Sequence, residues 1–482
     1  MFGFFFALRV PTSFRRLFAE GAFSQAFVPV MVEYQSKGLQ ALRGFLASLS
    51  GLFGLTLLLI VLLGVLFADS LTWVFAPGFD ADKLATTAEL VRITFPYLGF
   101  IAMAAYAGAL LNAHQHFLLP AVSPVFLNLC LIGGATLVVT NVNLGIDTSK
   151  GGIVVLAWAV ASAGVIQLAI LVPSLSKRKL LVKPNFNYKD AGVRKVGKLL
   201  GPAIFSASVA QINALVNTIL ASTLLTGSIS WIYYADRLME LPLGVVAVAL
   251  GTMMLPHLSR LAQANNKVDF AATLEWGVFM GLLIGLPAAG ALFFLSEPIS
   301  AAVYMAVGGG AMNSLDITMI GLALEFFAIA LPGFVLVKVL QPGFFAHQNT
   351  HTPFVYAGIA VVVNIVVSLA TFTWFGHVGL ALATAASAWT QVVLLLFGLR
   401  RAGHFEFSSH LLGQLLRILC ASILICLLLY WLVVPLPWMA WVGWLRLSYM
   451  LAIITLTLLA FCAILWVLGI RLRQLRLVTL SA

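Results

Sequence analysis

Charge is scarce in this chain. Asp, Glu, Lys and Arg make up 9% of its 482 residues and hydrophobic residues 62%, where a soluble domain carries about 25% and about 45–50%. A water-soluble globule is excluded. Cysteine is rare as well: Cys130, Cys420, Cys426 and Cys462 all lie in apolar stretches without a C-x-x-C pair, which argues against a disulfide framework or a zinc site. No long polar insertion is present to form an extramembrane catalytic domain. At roughly 20 apolar residues per bilayer crossing, the length accommodates about a dozen or more membrane helices. Acidic residues are the scarcer sign, 16 against 27 Lys and Arg, for a formal net charge of +11. In a soluble chain that excess would suggest nucleic acid; here it must first be tested against loop topology.

Apolar windows of about 20 residues place helices near 3–32 (broken at Pro11), 43–67, 86–112, 118–139, 152–173, 191–221, 230–256, 271–295, 318–342, 353–374, 378–399, 413–433 and 445–470, thirteen in all. Segments 33–43, 174–198, 257–270, 400–412 and the tail after Ile470 carry 17 basic residues, whereas the alternate loops carry only Lys83 and Lys150. Basic loops stay in the cytoplasm, so most of the +11 is topological, nucleic acid and nucleotide are not expected partners, and the C-terminus lies inside. Thirteen helices ending inside would leave Met1 outside, so either one helix is miscounted or one is missing at the front. The expected fold is all-α and polytopic: an N-terminal lobe at 1–175, a basic linker at 176–190, a second lobe at 191–411 and two further helices at 412–482. A weak internal echo, Arg16-x-x-x-Glu20 before Val28-Pro29 and Arg237-x-x-Glu240 before Leu255-Pro256, hints at duplication.

An ionisable side chain within a membrane helix costs about 2.5–3.5 kcal/mol on insertion scales and by default faces a bundle interior. Arg9, Arg15, Arg16 and Glu20 crowd the first helix; Arg92, Arg237 with Asp236 and Glu240, and Lys338 sit in or at the ends of apolar segments. Arg16 and Glu20 at i,i+4, and Arg237 and Glu240 at i,i+3, can meet on one helix face. Self-neutralising pairs or snorkelling would be one use. The guanidinium excess points instead to an anion, because arginine grips phosphate oxygens with a two-pronged fork. For Arg92 and Lys338 a structural pair and a cavity role stand equal. Arg417 and Arg446, at helix ends, read as interfacial anchors. Asn364 and Ser368, at i,i+4, could share a face with Thr384 or Ser387 and offer oxygens to a monovalent cation, or simply glue helices together. No other cofactor or metal is expected.

Several patterns carry no function. Gly192-Val-Arg-Lys-Val-Gly197-Lys198-Leu199 lacks the closing Ser or Thr of a phosphate-binding loop and follows no strand. His114-x-His116 has no third ligand nearby, Gly281-x-x-x-Gly285 fits helix packing, Gly308-Gly-Gly310 reads as an external loop, and Trp438, Trp441 and Trp444 read as an interfacial belt.

The run Phe14-Arg-Arg-Leu-Phe-Ala-Glu20-Gly-Ala-Phe-Ser-Gln-Ala-Phe-Val-Pro29, followed by Glu33-Tyr34, resembles the hallmark segment of the MurJ/MviN family, proposed lipid II flippases of the multidrug/oligosaccharidyl-lipid/polysaccharide exporter superfamily. The resemblance continues through Ala76-Pro-Gly-Phe79, Ile93-Thr-Phe-Pro-Tyr97, Gly201-Pro-Ala203, Trp231-Ile-Tyr-Tyr-Ala-Asp-Arg237-Leu-Met-Glu240-Leu-Pro242, Leu250-Gly-Thr252 with Leu255-Pro256, and Val337-Lys338-Val-Leu with Pro342-Gly-Phe344. It implies two pseudo-symmetric six-helix lobes around a central cavity, two extra helices forming a lipid-facing groove, and cavity residues at Arg15, Arg16, Glu20, Arg237 and Glu240. It also implies a bacterial inner-membrane protein, not an enzyme, acting as a monomer on an undecaprenyl-diphosphate-linked peptidoglycan precursor among membrane lipids. The family's first helix, with its Ser-Arg-x-x-Gly-x-x-Arg-Asp-type motif, has no counterpart here. Rival expectations are an exporter of another polyprenyl-linked oligosaccharide or of drugs, and a membrane glycosyltransferase or ligase. A drug exporter would expose acidic cavity residues, and an enzyme would need a sizeable external loop.

Overall fold

Hydrophobic runs of this length, with every backbone N–H and C=O in need of a partner inside lipid, leave the α-helix as the solution for each span. The computed structural model describes residues 27, 30–31, 33–35, 37–114, 116, 118–143, 151–305, 312–347, 349–433, 435–441 and 443–471. Among them are seventeen α-helices and no strand, and ten spans are long and apolar enough to cross a membrane. The chain is a multi-pass helical membrane protein. Arg9, Arg15, Arg16 and Glu20 lie outside the described residues.

The chain forms two compact units divided after Thr223. The first contains α1 (Leu39–Leu66), α2 (Ala68–Phe75), α3 (Ala81–Thr94), α4 (Pro96–Ala113), α5 (Leu118–Val122), α6 (Val125–Asn143), α7 (Gly151–Ala169), α8 (Val172–Lys177) and α9 (Ala191–Ser222). The sequence reading places residues 191–221 in the second lobe, whereas α9 packs on α1 and α2 of the first unit. Two glycines explain how closely the connecting segments dock. A methyl group at Gly78 would land on the Ser222 carbonyl, and one at Gly51 on the backbone of Asn185, whose N–H donates to the Ala47 carbonyl at 2.8 Å. Gly51→Ala is expected to push the basic linker off α1 and to cost roughly 1–3 kcal/mol, the usual scale of overpacking, read as a lowered unfolding temperature in detergent. The single window 86–112 is interrupted at Phe95, where Pro96 opens α4, and part of the gap between the expected helices 43–67 and 86–112 is the short helix α2. Eight residues are too few to register in a 20-residue window.

The second unit contains α10 (Ser228–Gln263), α11 (Lys267–Phe294), α12 (Ser296–Ser300), a π-helical turn (Ala301–Met305), α13 (Ser314–Phe345), α14 (His351–Phe375), α15 (His377–Arg401), α16 (Ser409–Val433) and α17 (Gly443–Val467). Helix α13 is its axis, packed by α10, α11 and α15. Small residues allow the approach: a methyl at Gly333 would touch Ala388 Cβ at 3.2 Å, and one at Gly281 would meet Val335 at 3.2 Å, the close packing that replaces hydrophobic drive in lipid. An Asn313–Asp316 capping box starts α13, and Asn266 caps α11. Leu315, Leu322 and Ile329 are exposed on the first half of α13, Lys338 and Phe345 on the second. By the 3.6-residue period these stripes fall on roughly opposite sides, with the change at Pro332, where the ring removes a helix hydrogen bond.

At the loop ends of this unit His347 and His404 stack with centroids 4.0 Å apart, and Phe270 packs on both. Burial lowers the pKa of each imidazole, and the charges of His347 and Lys267 lower that of His404 further. A histidine whose folded pKa is depressed adds stability above its unfolded pKa of about 6.5, and that stability is lost as pH falls through the folded value. The unfolding temperature is expected to drop between pH 7 and pH 5, and His404→Phe to flatten the drop.

Candidate functional site

The ion pair expected on α10 is formed. Arg237 Nη1 donates to Glu240 Oε2 at 2.7 Å, and the Arg237 side chain keeps 48% of its surface exposed. The guanidinium is therefore held and still reachable. Arg237 lies roughly 14 Å along the 36-residue helix from Ser228 at 1.5 Å per residue.

Aromatic rings back this pair. The Arg237 guanidinium stands 5.2 Å from the Tyr233 ring centroid, within cation–π range. Tyr233 meets Tyr234 edge-on at 5.8 Å, and Tyr234 lies 4.6 Å from Tyr304 of the π-turn. Tyr304 Oη–H donates to the Tyr234 carbonyl at 2.9 Å. One turn earlier, Trp231 Nε1–H donates to Asp316 Oδ1 at 2.8 Å, fixing the start of α10 against α13. Along the open face beyond Arg237, Leu241 is exposed and Gly244 has empty space where a side chain would stand. A half-free guanidinium, an aryl face and a carboxylate on one accessible helix face suit an anionic, hydroxyl-rich headgroup.

The other expected residues separate. Arg92, in the last turn of α3, pairs with Asp69 of α2 and edges a cavity of about 310 Å³ lined also by Phe100, Trp158 and Ser162. Lys338 is exposed on α13, and among the described residues no carboxylate pairs with it. Asn364 and Ser368 are fully buried on α14, and the Asn364 Oδ1 and Nδ2 and the Ser368 Oγ find no hydrogen-bond partner among the described residues. Ser387 Oγ is instead committed to the Ala360 carbonyl at 2.7 Å and Thr384 Oγ1 donates to the Leu380 carbonyl at 3.0 Å. Orphaned buried polar atoms are costly. Two neutral oxygens without a carboxylate suit a weakly held monovalent cation, hard-oxygen chemistry of low charge.

The last two helices build a further feature. An apolar groove of about 550 Å³ runs between α11, α16 and α17, lined among others by Leu283, Ala288, Leu429, Leu458 and Trp466. At one end Arg471 sits over the Trp466 ring at 5.5 Å.

The family model described as lipid II flippase MurJ matches residues 3–467. The chain belongs to the MurJ family. A probable lipid II flippase MurJ of Vibrio cholerae is 38% identical, with 99% of this chain and 91% of that protein aligned. A lipid II flippase MurJ of Burkholderia cenocepacia is 34% identical over 97% of this chain and 90% of its own length. Among solved structures, a lipid II flippase MurJ in an inward closed conformation superposes with a TM-score of 0.80 at 27% identity, covering 97% of this chain and 93% of that one. A multidrug resistance MATE family transporter in an inward-facing conformation shares the fold, with a TM-score of 0.66 at 13% identity over 83% and 89% of the two chains.

In this MurJ-family chain the sequence singled out Arg237 and Glu240 but not the tyrosines behind them. Tyr233 and Tyr234 stand inside the motif Trp231 to Pro242, so proximity to the arginine was a usable signal. Tyr304 sits between α11 and α13 in a segment with no distinguishing pattern, and only folding brings it to Tyr234.

Proposed function

We propose that this MurJ-family protein moves lipid II, the undecaprenyl-diphosphate-linked peptidoglycan precursor, from the inner to the outer leaflet of the bacterial cytoplasmic membrane by alternating access. The half-exposed Arg237–Glu240 pair on α10 carries the reading. An unpaired guanidinium would hold a diphosphate too tightly to release it; Glu240 competes for the same donors and weakens the grip. Arg15 and Arg16, with Glu20, extend the diphosphate site in this reading. No bond is made or broken. Export of a polyanionic headgroup gains about 2.3 kcal/mol per charge per 100 mV from an inside-negative potential, so the transport itself needs no nucleotide. The prenyl tail stays in the groove between α11, α16 and α17. The C-terminus is cytoplasmic and the working unit a monomer. In vesicles holding lipid II on the inner leaflet only, the protein is expected to bring its headgroup within reach of an impermeant probe outside; release of a sugar-transfer product instead would sink the proposal.

A monovalent cation held by Asn364 Oδ1 and Ser368 Oγ would supply a fixed positive charge that stiffens α14. Sodium chloride, compared with choline chloride, is expected to raise the unfolding temperature of the unaltered protein, and Asn364→Leu to remove that difference. An equal response in both would show that the buried amide serves packing alone.

A further inference from the structure

The sequence reads Arg446 as an interfacial anchor, and the fold contradicts that reading. Its side chain is buried, with 3% of the residue exposed near the start of α17. The guanidinium donates to four backbone carbonyls: Nε to Trp438 at 2.8 Å, Nη2 to Trp441 at 2.7 Å and to Met439 at 3.4 Å, and Nη1 to Ala301 at 2.8 Å. Trp438, Met439 and Trp441 belong to the segment between α16 and α17; Ala301 opens the π-turn. Trp438 is likewise buried, donating Nε1–H to the Val433 carbonyl at 3.0 Å, and its ring packs on Trp441 at 5.2 Å. Trp444 alone of the three remains widely exposed.

A buried cation is an expensive way to close a loop. Among the described residues no carboxylate balances it, and an apolar side chain of similar volume could fill the space. A planar fork of donors does something an apolar side chain cannot: it fixes the carbonyls of two separate segments relative to each other. The second of those segments leads within one turn to Tyr304. The path is continuous in distance: Arg446 to Ala301, Tyr304 to Tyr234, Tyr234 to Tyr233, and Tyr233 under the Arg237 guanidinium. Irregular π-turns of this kind concentrate at functional sites.

We infer that Arg446 is a positioning residue for headgroup recognition: it staples the π-turn to the external segment 435–441 and thereby sets Tyr304 and Tyr234 behind Tyr233 and Arg237. The final helix thus takes part in orienting the anion-binding arginine as well as in walling the groove. This inference rests on the reading of Arg237 as a diphosphate ligand.

The test compares the unaltered protein with Arg446→Lys and Tyr304→Phe in detergent, measuring backbone hydrogen exchange and binding of purified lipid II. Lysine keeps the charge but cannot serve four carbonyls from one planar group. Arg446→Lys is expected to speed exchange in 301–305 and 435–441 while α13 and α15 stay protected, and to weaken lipid II binding roughly 3- to 30-fold, the scale of coupling through packed networks. Tyr304→Phe, which loses only the bond to the Tyr234 carbonyl, is expected to weaken binding without loosening 435–441. The double variant is expected to bind no worse than Arg446→Lys alone, since both act along one path. Loosened exchange with unchanged binding in Arg446→Lys would overturn the inference. So would fully additive losses, and if Arg446→Lys unfolds, normal binding by Tyr304→Phe overturns it by itself. Absence of lipid II binding by the unaltered protein, with exchange still loosened by Arg446→Lys, would overturn the functional reading and leave the mechanical tie standing.

Discussion

Arg237→Ala is expected to abolish complementation of a strain that depends on this protein and to leave lipid II on the inner leaflet. The physical reason is the loss of two charge-assisted hydrogen bonds to diphosphate oxygens, each worth about 1.5–3 kcal/mol, or roughly 10²- to 10⁴-fold in affinity together. The fold should survive. Arg237 is half exposed, and among the described residues its ion pair with Glu240 and its ring contact with Tyr233 both lie within its own helix, so the protein is expected at normal level in the membrane. Arg237→Lys should recover part of the activity, because an ammonium supplies the charge without the fork. Normal leaflet exchange by Arg237→Ala would remove this residue from the site.

The second large effect concerns the tail. Ala288→Trp or Ala291→Trp would drive an indole into the groove lined by α11, α16 and α17 and is expected to slow transport of full-length lipid II by about tenfold or more. The loss would not be hydrophobic in origin: a prenyl chain displaced from the groove enters equally apolar lipid, and association in membranes rests on packing instead. What the indole removes is the restriction that holds the tail beside the bundle while the headgroup moves. A water-soluble diphosphate sugar analogue without the tail should therefore bind the tryptophan variants normally, while Arg237→Ala loses that binding too. Equal losses for long-chain and tail-free ligands in Ala288→Trp would mean that the substitution had distorted α11 as a whole.

Much of the second unit was legible in advance. The window 271–295 became Lys267–Phe294, 353–374 became His351–Phe375, and 413–433 became Ser409–Val433. Each is a long apolar run that fills a 20-residue window by itself. The Arg237–Glu240 pair was legible for the same reason, because i,i+3 spacing on a helix places both groups on one face before any tertiary contact is known. The short pieces were not legible. Helix α2, whose Asp69 takes Arg92, and the π-turn bearing Tyr304 are too brief for hydropathy to register.

Arg446 marks the boundary most clearly. Its place near a helix end beside three tryptophans is the usual signature of an interfacial anchor, yet its partners are backbone carbonyls of segments 145 residues apart in the case of Ala301. Composition and hydropathy are sums over neighbouring residues, so the sequence alone determined membrane residence, the long helices and the isolated charges that mark the candidate site. Backbone carbonyls are the same chemical group in every residue and leave no trace in side-chain identity. Which carbonyls Arg446 gathers, which tyrosine stands behind Arg237, and that Asn364 and Ser368 are buried without partners among the described residues were decided only when packing brought distant segments together.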